Sequence, residues 1–316
     1  MSEPANNPTF HGEGGTLFGI HLKNLLLTIV TLGVYTFWAK TNVRQYLYGQ
    51  TAVGGDRFGY HGTGGELLKG WLKAIGLVIV GFVLMAVLSA LVHPIVGVIA
   101  LYAVGIFVFF PLAMLGSRRY RLSRTSWRGI RFSFRGEFKE LVGVFVPGVL
   151  LTICSLGLYY PFFHANVRRY FVNETRFGTG AFSFTGEGRE LFARHLSLYL
   201  LVPLTLGIYW FWHAAFRHRY YWQHTGFGNA RFNSTLRGGD LLVFSLVNGL
   251  LVMITLGIAY PWVQVRTQNF MCERIGVGDL AAFDSALQDA QRSSATGEGL
   301  ADALDVDLVG ADFFGL

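Results

Sequence analysis

The sequence contains few charged residues, which points to an apolar environment. Only 14% of its residues are Asp, Glu, Lys or Arg, whereas about a quarter are charged in an ordinary soluble domain. Hydrophobic residues make up 52%, and the mean hydropathy is +0.41. No acidic residue lies deep inside an apolar run, where buried carboxylates usually mark proton-coupled transport. The composition therefore favours a membrane protein and argues against proton-driven transport.

Motifs for metal binding and catalysis are also lacking. Two cysteines, Cys154 and Cys272, give neither a disulfide framework nor metal-ligand spacing, and the nine histidines form no zinc signature. The glycine clusters at 12–15 and 62–65 lack the Lys-Ser/Thr ending of a phosphate loop, so a strand-to-helix turn is the preferred interpretation. We find no nucleophile elbow and no deep pair of carboxylates. We therefore expect no enzyme activity, no cofactor, no bound metal and no nucleic-acid partner.

What the sequence has in abundance is repetition. Thr-Leu-Gly followed by an aliphatic residue occurs at 31–35, 205–209 and 255–259, with a Ser-Leu-Gly variant at 155–159, at spacings of 124, 50 and 50 residues. Separate series of Gly, Leu, aromatic and Thr positions keep this period if the second repeat carries 24 extra residues. Such a period predicts bundled copies of one unit. The predicted segments are a polar N-terminus 1–9, repeats 10–57, 58–131, 132–181, 182–231 and 232–278, and an acidic flexible tail 279–316.

Long apolar runs lie within the repeats. Each is close to the ~20 residues that a helix needs to cross a bilayer, and the run in repeat two, residues 71–115, is twice as long and is split at His93-Pro94. The other runs cover residues 17–38, 141–163, 191–212 and 241–263. Because residues 1–16 show no secretory signal, we expect the first run to act as the targeting signal. The predicted fold is an α-helical polytopic membrane protein with six apolar segments, in which each repeat is a short β-hairpin, an apolar helix, a Gly/Pro break and a basic aromatic helix.

Two sets of recurring residues are predicted to shape each repeat. The glycine of the Thr-Leu-Gly motif is expected to end the apolar helix in a left-handed conformation. An acidic residue after the strand is expected to stabilise the N-terminus of the following helix or to pair with an arginine of the next repeat, and a pore-lining acidic ring is the alternative. The glycines are Gly33, Gly157, Gly207 and Gly257, and the acidic residues are Glu66, Glu140, Glu190 and Asp240.

The repeats leave two topologies open. If each ordinary repeat crosses once, equivalent arginine clusters fall on alternate sides of the membrane, against the tendency of Lys and Arg to stay cytoplasmic. If each repeat instead reverses at Thr-Leu-Gly, only repeat two crosses and returns, and every β-hairpin lies on one face, where the hairpins can pair. The length of the runs favours the first topology, and the charge pattern favours the second.

The basic residues provide the candidate binding positions. The chain carries +7 overall, but beyond Gly276 eight acidic residues face only Arg292, so the remaining body is about +14. Basic segments near a membrane attract anionic headgroups. Residues predicted to bind lipid or a partner protein are Arg44, Arg118, Arg119, Arg168, Arg169, Arg217 and Arg219. A candidate polar path consists of His21, Lys23, Arg194 and His195.

The chain resembles a known family, the bacterial YjgN-like membrane proteins built on a domain of unknown function (DUF898). The resemblance rests on the pattern Phe-x-(Phe/Tyr)-x-Gly-x-x-x-Glu-Leu, on residues 205–212, and on Asn-Val-Arg at 42–44 and 166–168. It covers about residues 10–275 and implies a multi-pass protein of the bacterial inner membrane, but it transfers no catalytic residue. Repeat five departs from the pattern at Leu236.

Two functions are compatible with these features. The first is transport-related, a passive conduit for a small solute, ion or lipid between the repeats. The alternative is a non-catalytic scaffold that binds anionic lipid or a partner protein through a basic aromatic cytoplasmic face. The basic loops and the acidic tail are predicted to be cytoplasmic. Fold alone does not decide between the two functions.

Overall fold

The computed structural model describes residues 7–284 and 286 and contains both helices and strands. The strands are β1 Thr9–Phe10, β2 Thr51–Val53, β3 Asp56–Tyr60, β4 Thr125–Trp127, β5 Ile130–Phe134, β6 Thr175–Phe177, β7 Gly180–Phe184, β8 Thr225–Phe227, β9 Ala230–Ser234 and β10 Ile275–Val277. The helices are α1 Gly14–Val30, α2 Thr36–Gln50, α3 Gly64–Leu91, α4 Pro94–Val104, α5 Phe110–Arg124, α6 Phe138–Cys154, α7 Tyr160–Asn173, α8 Gly188–Leu204, α9 Tyr209–Gln223, α10 Gly238–Ile254 and α11 Tyr260–Cys272. A π-helical turn, Gly105–Phe109, joins α4 to α5, and a 3-10 turn, Leu280–Phe283, follows β10.

All ten strands belong to one antiparallel sheet in the order in which they occur along the chain. Each hairpin pairs with the next through residues far apart in sequence, such as Phe58 opposite Trp127 and Phe132 opposite Phe177. The prediction of an α-helical polytopic bundle was therefore wrong, because it treated the hairpins as local features. Joined edge to edge, they satisfy one another's backbone groups and form a continuous sheet.

The number of long apolar helices also differs from the prediction. Within the described residues, two helical segments are long and apolar enough to cross a membrane, Gly64–Leu91 and Pro94–Arg124. Both lie in the predicted second repeat, and the break between them falls at His93, whose side chain caps α4. The apolar helices of the other repeats end after 17 residues, or roughly 25 Å, which is short of the ~30 Å hydrocarbon core. The sequence runs appeared longer because they continue through a reversal of the chain.

That reversal is a Schellman turn at the Thr-Leu-Gly motif. In the first copy, the N–H of Leu32 donates to the carbonyl of Ile29, and the N–H of Gly33 donates to the carbonyl of Thr28, at 3.1 and 2.8 Å. Thr31 closes the turn, because its hydroxyl donates to the Leu27 carbonyl and accepts from the N–H of Tyr35. The glycines predicted to be left-handed do have positive φ, at Gly33, Gly157, Gly207 and Gly257. Each helix pair therefore folds back toward the sheet from which it came.

The sheet curls around an aromatic interior. Val53 of β2 and Val277 of β10, near opposite edges of the sheet, line the same small cavity. The largest core cluster consists of the residues that point inward from the strands, including Phe58, Phe132 and Phe182. Alternation along each strand sends these side chains inward and places Arg57, Arg131 and Arg231 on the other face.

The helices form a second layer that closes on itself. The second helix of each pair, for example α2 or α7, packs on the neighbouring strand, and the first helix packs beside it. The last helix, α11, packs against α1, where Trp262 contacts Phe18 at 5.1 Å between ring centroids. The helix layer is thus a closed ring. The predicted division into five repeats stays a prediction, and most of the predicted acidic tail (279–316) and the first six residues of the polar N-terminus lie outside the described residues.

Candidate functional site

The tips of four helix pairs carry large apolar side chains in an unusual backbone conformation. In each turn the residue before the glycine is a leucine with φ near +50°, a region that costs a non-glycine residue about 1–2 kcal/mol. These leucines are 88–94% exposed. They are Leu32, Leu156, Leu206 and Leu256. Because the same strained and exposed leucine recurs at four tips, these tips are the first candidate site.

The aromatic interior of the sheet is filled by a residue from beyond its last strand. Phe283, in the 3-10 turn after β10, stacks on Phe227 with ring centroids 4.3 Å apart and meets Trp127 edge-on at 5.4 Å. It also contacts Phe177 and Phe182, so aromatic side chains of β4, β6, β7 and β8 surround it. About 30 Å³ of space remains in this interior. We call residues 280–283 the plug.

An ion-pair network holds the plug in place. Arg128, in the turn between β4 and β5, pairs with Asp284 at 2.7 Å and with Asp56 at 2.6 Å. Its guanidinium group also lies 4.5 Å from the centre of the Trp127 ring. Asp279 accepts a hydrogen bond from the N–H of Ala281 and so caps the 3-10 turn. The first residues of the predicted acidic tail are therefore part of the folded sheet.

Three of the seven predicted lipid-binding arginines bond to backbone instead of facing outward. Arg119 and Arg169 donate to the carbonyls of Gly136 and Gly186 at 2.7 and 2.9 Å, and Arg219 donates in the same way to Leu236. In each case the acceptor lies 17 residues later, in the loop before the next apolar helix. The three side chains tie consecutive helix pairs together. Whether they also bind lipid stays a prediction.

Two more of these arginines are buried where the helices meet the sheet. Arg118 and Arg168 are only 6% and 8% exposed, and Arg168 lies 4.7 Å from the centre of the Tyr221 ring. His164 stacks on the same ring and shares a hydrogen bond of 2.6 Å with its hydroxyl. Burial, with Arg217 and Arg168 nearby, lowers the pKa of His164 to about 3. The junction between the helices and the sheet therefore holds two cationic guanidinium groups and one neutral imidazole group beside aromatic rings.

The remaining two predicted arginines are half-buried on α2 and α9. These are Arg44 and Arg217, and the guanidinium group of Arg217 lies 5.9 Å from the centre of the Trp210 ring. Half-burial leaves part of each side chain accessible, so these two are better placed than the buried pair to meet a lipid headgroup.

The four residues of the predicted polar path are not gathered in one place. Nε2 of His21 donates a hydrogen bond of 2.9 Å to Oε1 of Gln264 on the seam between α1 and α11. His195 is buried beside Tyr160 and lies 5.9 Å from His213, centroid to centroid. Lys23 and Arg194 are exposed. His213, which is not one of the four predicted path residues, also lies beside His195.

The predicted acidic residues all lie in the first turns of apolar helices. Glu66 forms a full capping box with Thr63 and accepts hydrogen bonds from Tyr120 and Arg124. The others are Glu140 in α6, Glu190 in α8 and Asp240 in α10. Glu66 therefore caps its helix, and for the other three the capping interpretation stays a prediction.

The described residues contain no group of three or more His, Cys, Asp or Glu side chains that could hold a metal ion. Two sets of residues escaped the sequence-based prediction. The signal for the tip leucines was present, since leucine fills the middle of the motif in all four copies. Phe283 had no comparable signal, because it occurs once and outside the repeats.

Comparison with known proteins adds the family. The family described as bacterial protein of unknown function (DUF898) matches residues 6–216 and 196–303, which together cover most of the chain. The chain belongs to the DUF898 family. As the resemblance implied, it is similar to proteins named inner membrane protein YjgN. It is 34% identical over 155 residues to the one from Escherichia coli O157:H7 and 36% identical over 155 residues to the one from Escherichia coli strain K12.

A third such DUF898 relative, from Salmonella typhimurium, is 32% identical over 132 residues. The two Escherichia matches cover 48% of this chain but only 37% of the relatives' length, and the Salmonella match covers 42% and 32%. The chain thus spans well under two thirds of the curated relatives that it matches. No solved structure matches it.

Proposed function

We propose that this chain is a bacterial inner-membrane protein that acts as a non-catalytic binding scaffold and holds its curled sheet against one membrane surface. Its relatives are named inner membrane protein YjgN, and this name supports the location. In this proposal α3 and the segment from α4 to α5 cross the bilayer. The other four helix pairs enter it from the side of the sheet and return without crossing.

The observation that carries the proposal is the exposure of the strained tip leucines. In water, a left-handed leucine that buries nothing would cost free energy twice, through its backbone and through its hydrated side chain. In hydrocarbon the side chain is favourably solvated, which offsets the backbone strain. The neighbouring helix faces agree, because residues such as Leu26, Ile29 and Met253 are also more than half exposed.

The filled sheet favours a scaffold over a conduit. Phe283 and the aromatic residues around it leave about 30 Å³ in the cavity that they line, so in this proposal the interior of the sheet is not the path of a solute. The body of the chain is strongly basic, so we propose that the sheet faces the cytoplasm, in line with the positive-inside tendency. Anionic lipid or a protein partner would meet the arginines on the outer strand face, such as Arg57 and Arg231.

The depth of the tips provides the test. The background chain carries Cys154→Ser and Cys272→Ala. Single cysteines are then placed at the tip positions Leu156 and Leu206. A cysteine at Thr179, in a hairpin turn, is the control. Each is labelled with an environment-sensitive nitrobenzoxadiazole dye in proteoliposomes. We expect brominated acyl chains to quench the tip labels and aqueous iodide to quench the control. Tip labels that iodide quenches as strongly as the control would overturn the proposal.

A conduit remains the second candidate because of polar groups in the helix layer. Within the described residues, Nε2 of His195, Nδ1 of His213 and both amide atoms of Asn248 are buried without a hydrogen-bond partner. Buried polar groups of this kind often face water. Solute or ion flux through proteoliposomes that disappears in His195→Leu would favour the conduit, whereas binding of anionic vesicles without flux would favour the scaffold.

A further inference from the structure

The helix pair of α6 and α7 contains a groove. Between α6 and α7 lies an open groove of about 540 Å³, within the range of small-molecule sites. Its outer end, next to the sheet, is lined by polar groups, among them Glu140, Arg169 and Glu174. Its inner end, nearer the tip of the helix pair, is lined by Val144 and Pro147. The groove is therefore polar where the helices leave the sheet and apolar toward their tip.

Comparison with the first helix pair shows why the groove is open. Between α1 and α2, the amide of Asn42 donates to Asn24 at 3.0 Å and to Tyr35 at 3.3 Å, and Asn24 donates to the Ala39 carbonyl. This network links the two helices of the first pair. In the third pair, Tyr159 and Asn166 hold the positions of Tyr35 and Asn42, but Gly148 replaces Asn24.

Gly148 has no side chain to meet Asn166, the ring of Phe163 packs directly against Gly148, and Asn166 lines the groove. Pro147 contributes in a second way. It has no N–H, so the usual helical hydrogen bond to the carbonyl of Gly143 cannot form, and Gly143 also lines the groove. Tyr159 and Asn166, whose counterparts Tyr35 and Asn42 bond to each other in the first pair, both line the groove in the third pair.

The charges at the outer end define the ligand. Glu140 and Glu174 supply two carboxylates, and Arg169 supplies one guanidinium group that already donates to the Gly186 carbonyl. Burial, followed by Glu140 and Glu174, raises the pKa of the adjacent Tyr170, which agrees with negative charge gathered at this end. Two carboxylates beside one cation suit a zwitterion whose ammonium group can donate to both acids and whose phosphate can approach the arginine.

We propose that this groove binds an aminophospholipid of the phosphatidylethanolamine type. Its ammonium group lies between Glu140 and Glu174, its phosphate lies near Arg169, and an acyl chain follows Val144 and Pro147 toward the tip of the pair. The inference rests on the proposed membrane location, since the apolar end of the groove is useful only if hydrocarbon surrounds it.

Two glycines provide a matched pair of variants. Gly143 and Gly19 both follow the buried leucine of their apolar helix by two residues, and a side chain built at either meets nothing within 4 Å. Gly143→Leu places a large side chain at a residue that lines the groove, whereas Gly19→Leu adds the same side chain at the equivalent position of the first pair. Glu140→Gln removes one carboxylate without changing the shape of the groove.

Native mass spectrometry of the detergent-released protein measures binding of palmitoyl-oleoyl phosphatidylethanolamine, of its trimethylated analogue phosphatidylcholine, and of phosphatidylglycerol. We expect the unmodified chain and Gly19→Leu to prefer phosphatidylethanolamine over phosphatidylcholine by about tenfold, or about 1.4 kcal/mol. We expect Gly143→Leu to lose this binding and Glu140→Gln to lose the preference.

Equal binding of phosphatidylethanolamine and phosphatidylcholine, or equal binding by the two leucine variants, would overturn the inference. So would a preference for phosphatidylglycerol, because an anionic lipid would then be the occupant. Tip quenching at position 206, measured in the same variants, separates this outcome from failure of the membrane proposal. Embedded tips without lipid preference reject only the groove, whereas tips in water reject both. Melting temperatures identify any variant that does not fold.

Discussion

At the scale of single residues, four glycines set how closely neighbouring helix pairs approach. Gly14, Gly64, Gly188 and Gly238 each begin an apolar helix, and each lies against an aromatic residue of another helix. A side-chain carbon at Gly64 would lie 2.5 Å from Cγ of Trp38 and 2.7 Å from its Cα. Because the second of these atoms is backbone, the neighbour cannot move away at low cost.

The substitution Gly64→Ala tests this contact. We expect it to destabilise the protein by roughly 2–3 kcal/mol, as overpacking of a rigid contact does. The adjacent Gly65 is the control, since a side chain there meets nothing within 4 Å, and Gly65→Ala should be neutral or stabilising by up to about 1 kcal/mol. Melting temperatures in detergent measure both. Equal melting temperatures for the two variants would show that the contact does not limit packing.

His218 is a residue whose hydrogen bonds require the neutral imidazole. The indole N–H of Trp222 donates to Nε2 at 3.1 Å, so that nitrogen must accept, and Nδ1 then donates to Ser234 at 2.9 Å. Burial, together with Arg168, Arg219 and Arg217, lowers the pKa of His218 from 6.5 to about 4. The native protein therefore binds fewer protons here than the unfolded chain as the pH falls below 6.5.

The consequence is a loss of stability on the acid side. Above pH 6.5 both states are neutral at this position; between pH 6.5 and about 4 only the unfolded chain takes up the proton, so stability falls over that interval. We expect the melting temperature in detergent to drop between pH 7 and pH 5, and His218→Asn to reduce that drop. His164 shifts in the same direction, so a residual slope should remain. An unchanged slope in His218→Asn would contradict this account.

At the scale of elements, each of the three residues of the Thr-Leu-Gly turn has a different structural role. Threonine closes the turn through its hydroxyl, leucine takes a left-handed position, and glycine with φ near +90° donates the Schellman bond that reaches further back along the chain, from Gly33 to Thr28 in the first copy. The sequence predicted the turn and the positive φ of glycine. It did not predict a left-handed leucine, because steric preference alone would put glycine in that position. Only the tertiary setting, an exposed tip, explains why leucine takes a position that glycine would adopt at lower cost.

Substitutions at one tip separate backbone strain from side-chain solvation. Leu206→Gly should raise the melting temperature in detergent by a few degrees, because glycine adopts a φ of +50° without the cost of about 1 kcal/mol. Leu206→Ile keeps the hydrophobic surface but adds a β-branch, which that φ disfavours, and should lower the melting temperature. If Leu206→Gly and Leu206→Ile change the melting temperature in the same direction, the backbone at Leu206 is not strained.

At the scale of the whole molecule, the sheet was only partly predictable. Alternation of aromatic residues, as in Phe58-Gly59-Tyr60, identified the strands, and the shared-face topology anticipated that hairpins could pair. The pairing of Tyr60 with Thr125, or of Phe134 with Thr175, could not be predicted, because contacts across so many residues leave no local pattern. The plug and the closed helix ring depend in the same way on the finished fold.

A single sheet requires its hairpin turns to share one side of the membrane. We expect cysteines at Arg57, Thr179 and Asn229, three exposed positions in or beside different turns, to react with an impermeant maleimide from the same side of oriented vesicles. The background chain is the one without Cys154 and Cys272. Labelling of neighbouring turns from opposite sides would be incompatible with the sheet. A cysteine in the loop that joins α3 to α4, at Val92, should react only from the other side.

The contact between α1 and α11 also limits how this architecture can change during evolution. In an open array, such as a solenoid, a unit can be gained or lost at either end without disturbing the others. Here the first and last helices already pack against each other, because Trp262 of α11 contacts Gly14 of α1. An added helix pair would have to widen the angle at every existing junction at once, so the number of pairs is fixed. By the same reasoning, new starting and ending points could be cut at another junction, with the original termini joined, and the ring would keep its shape.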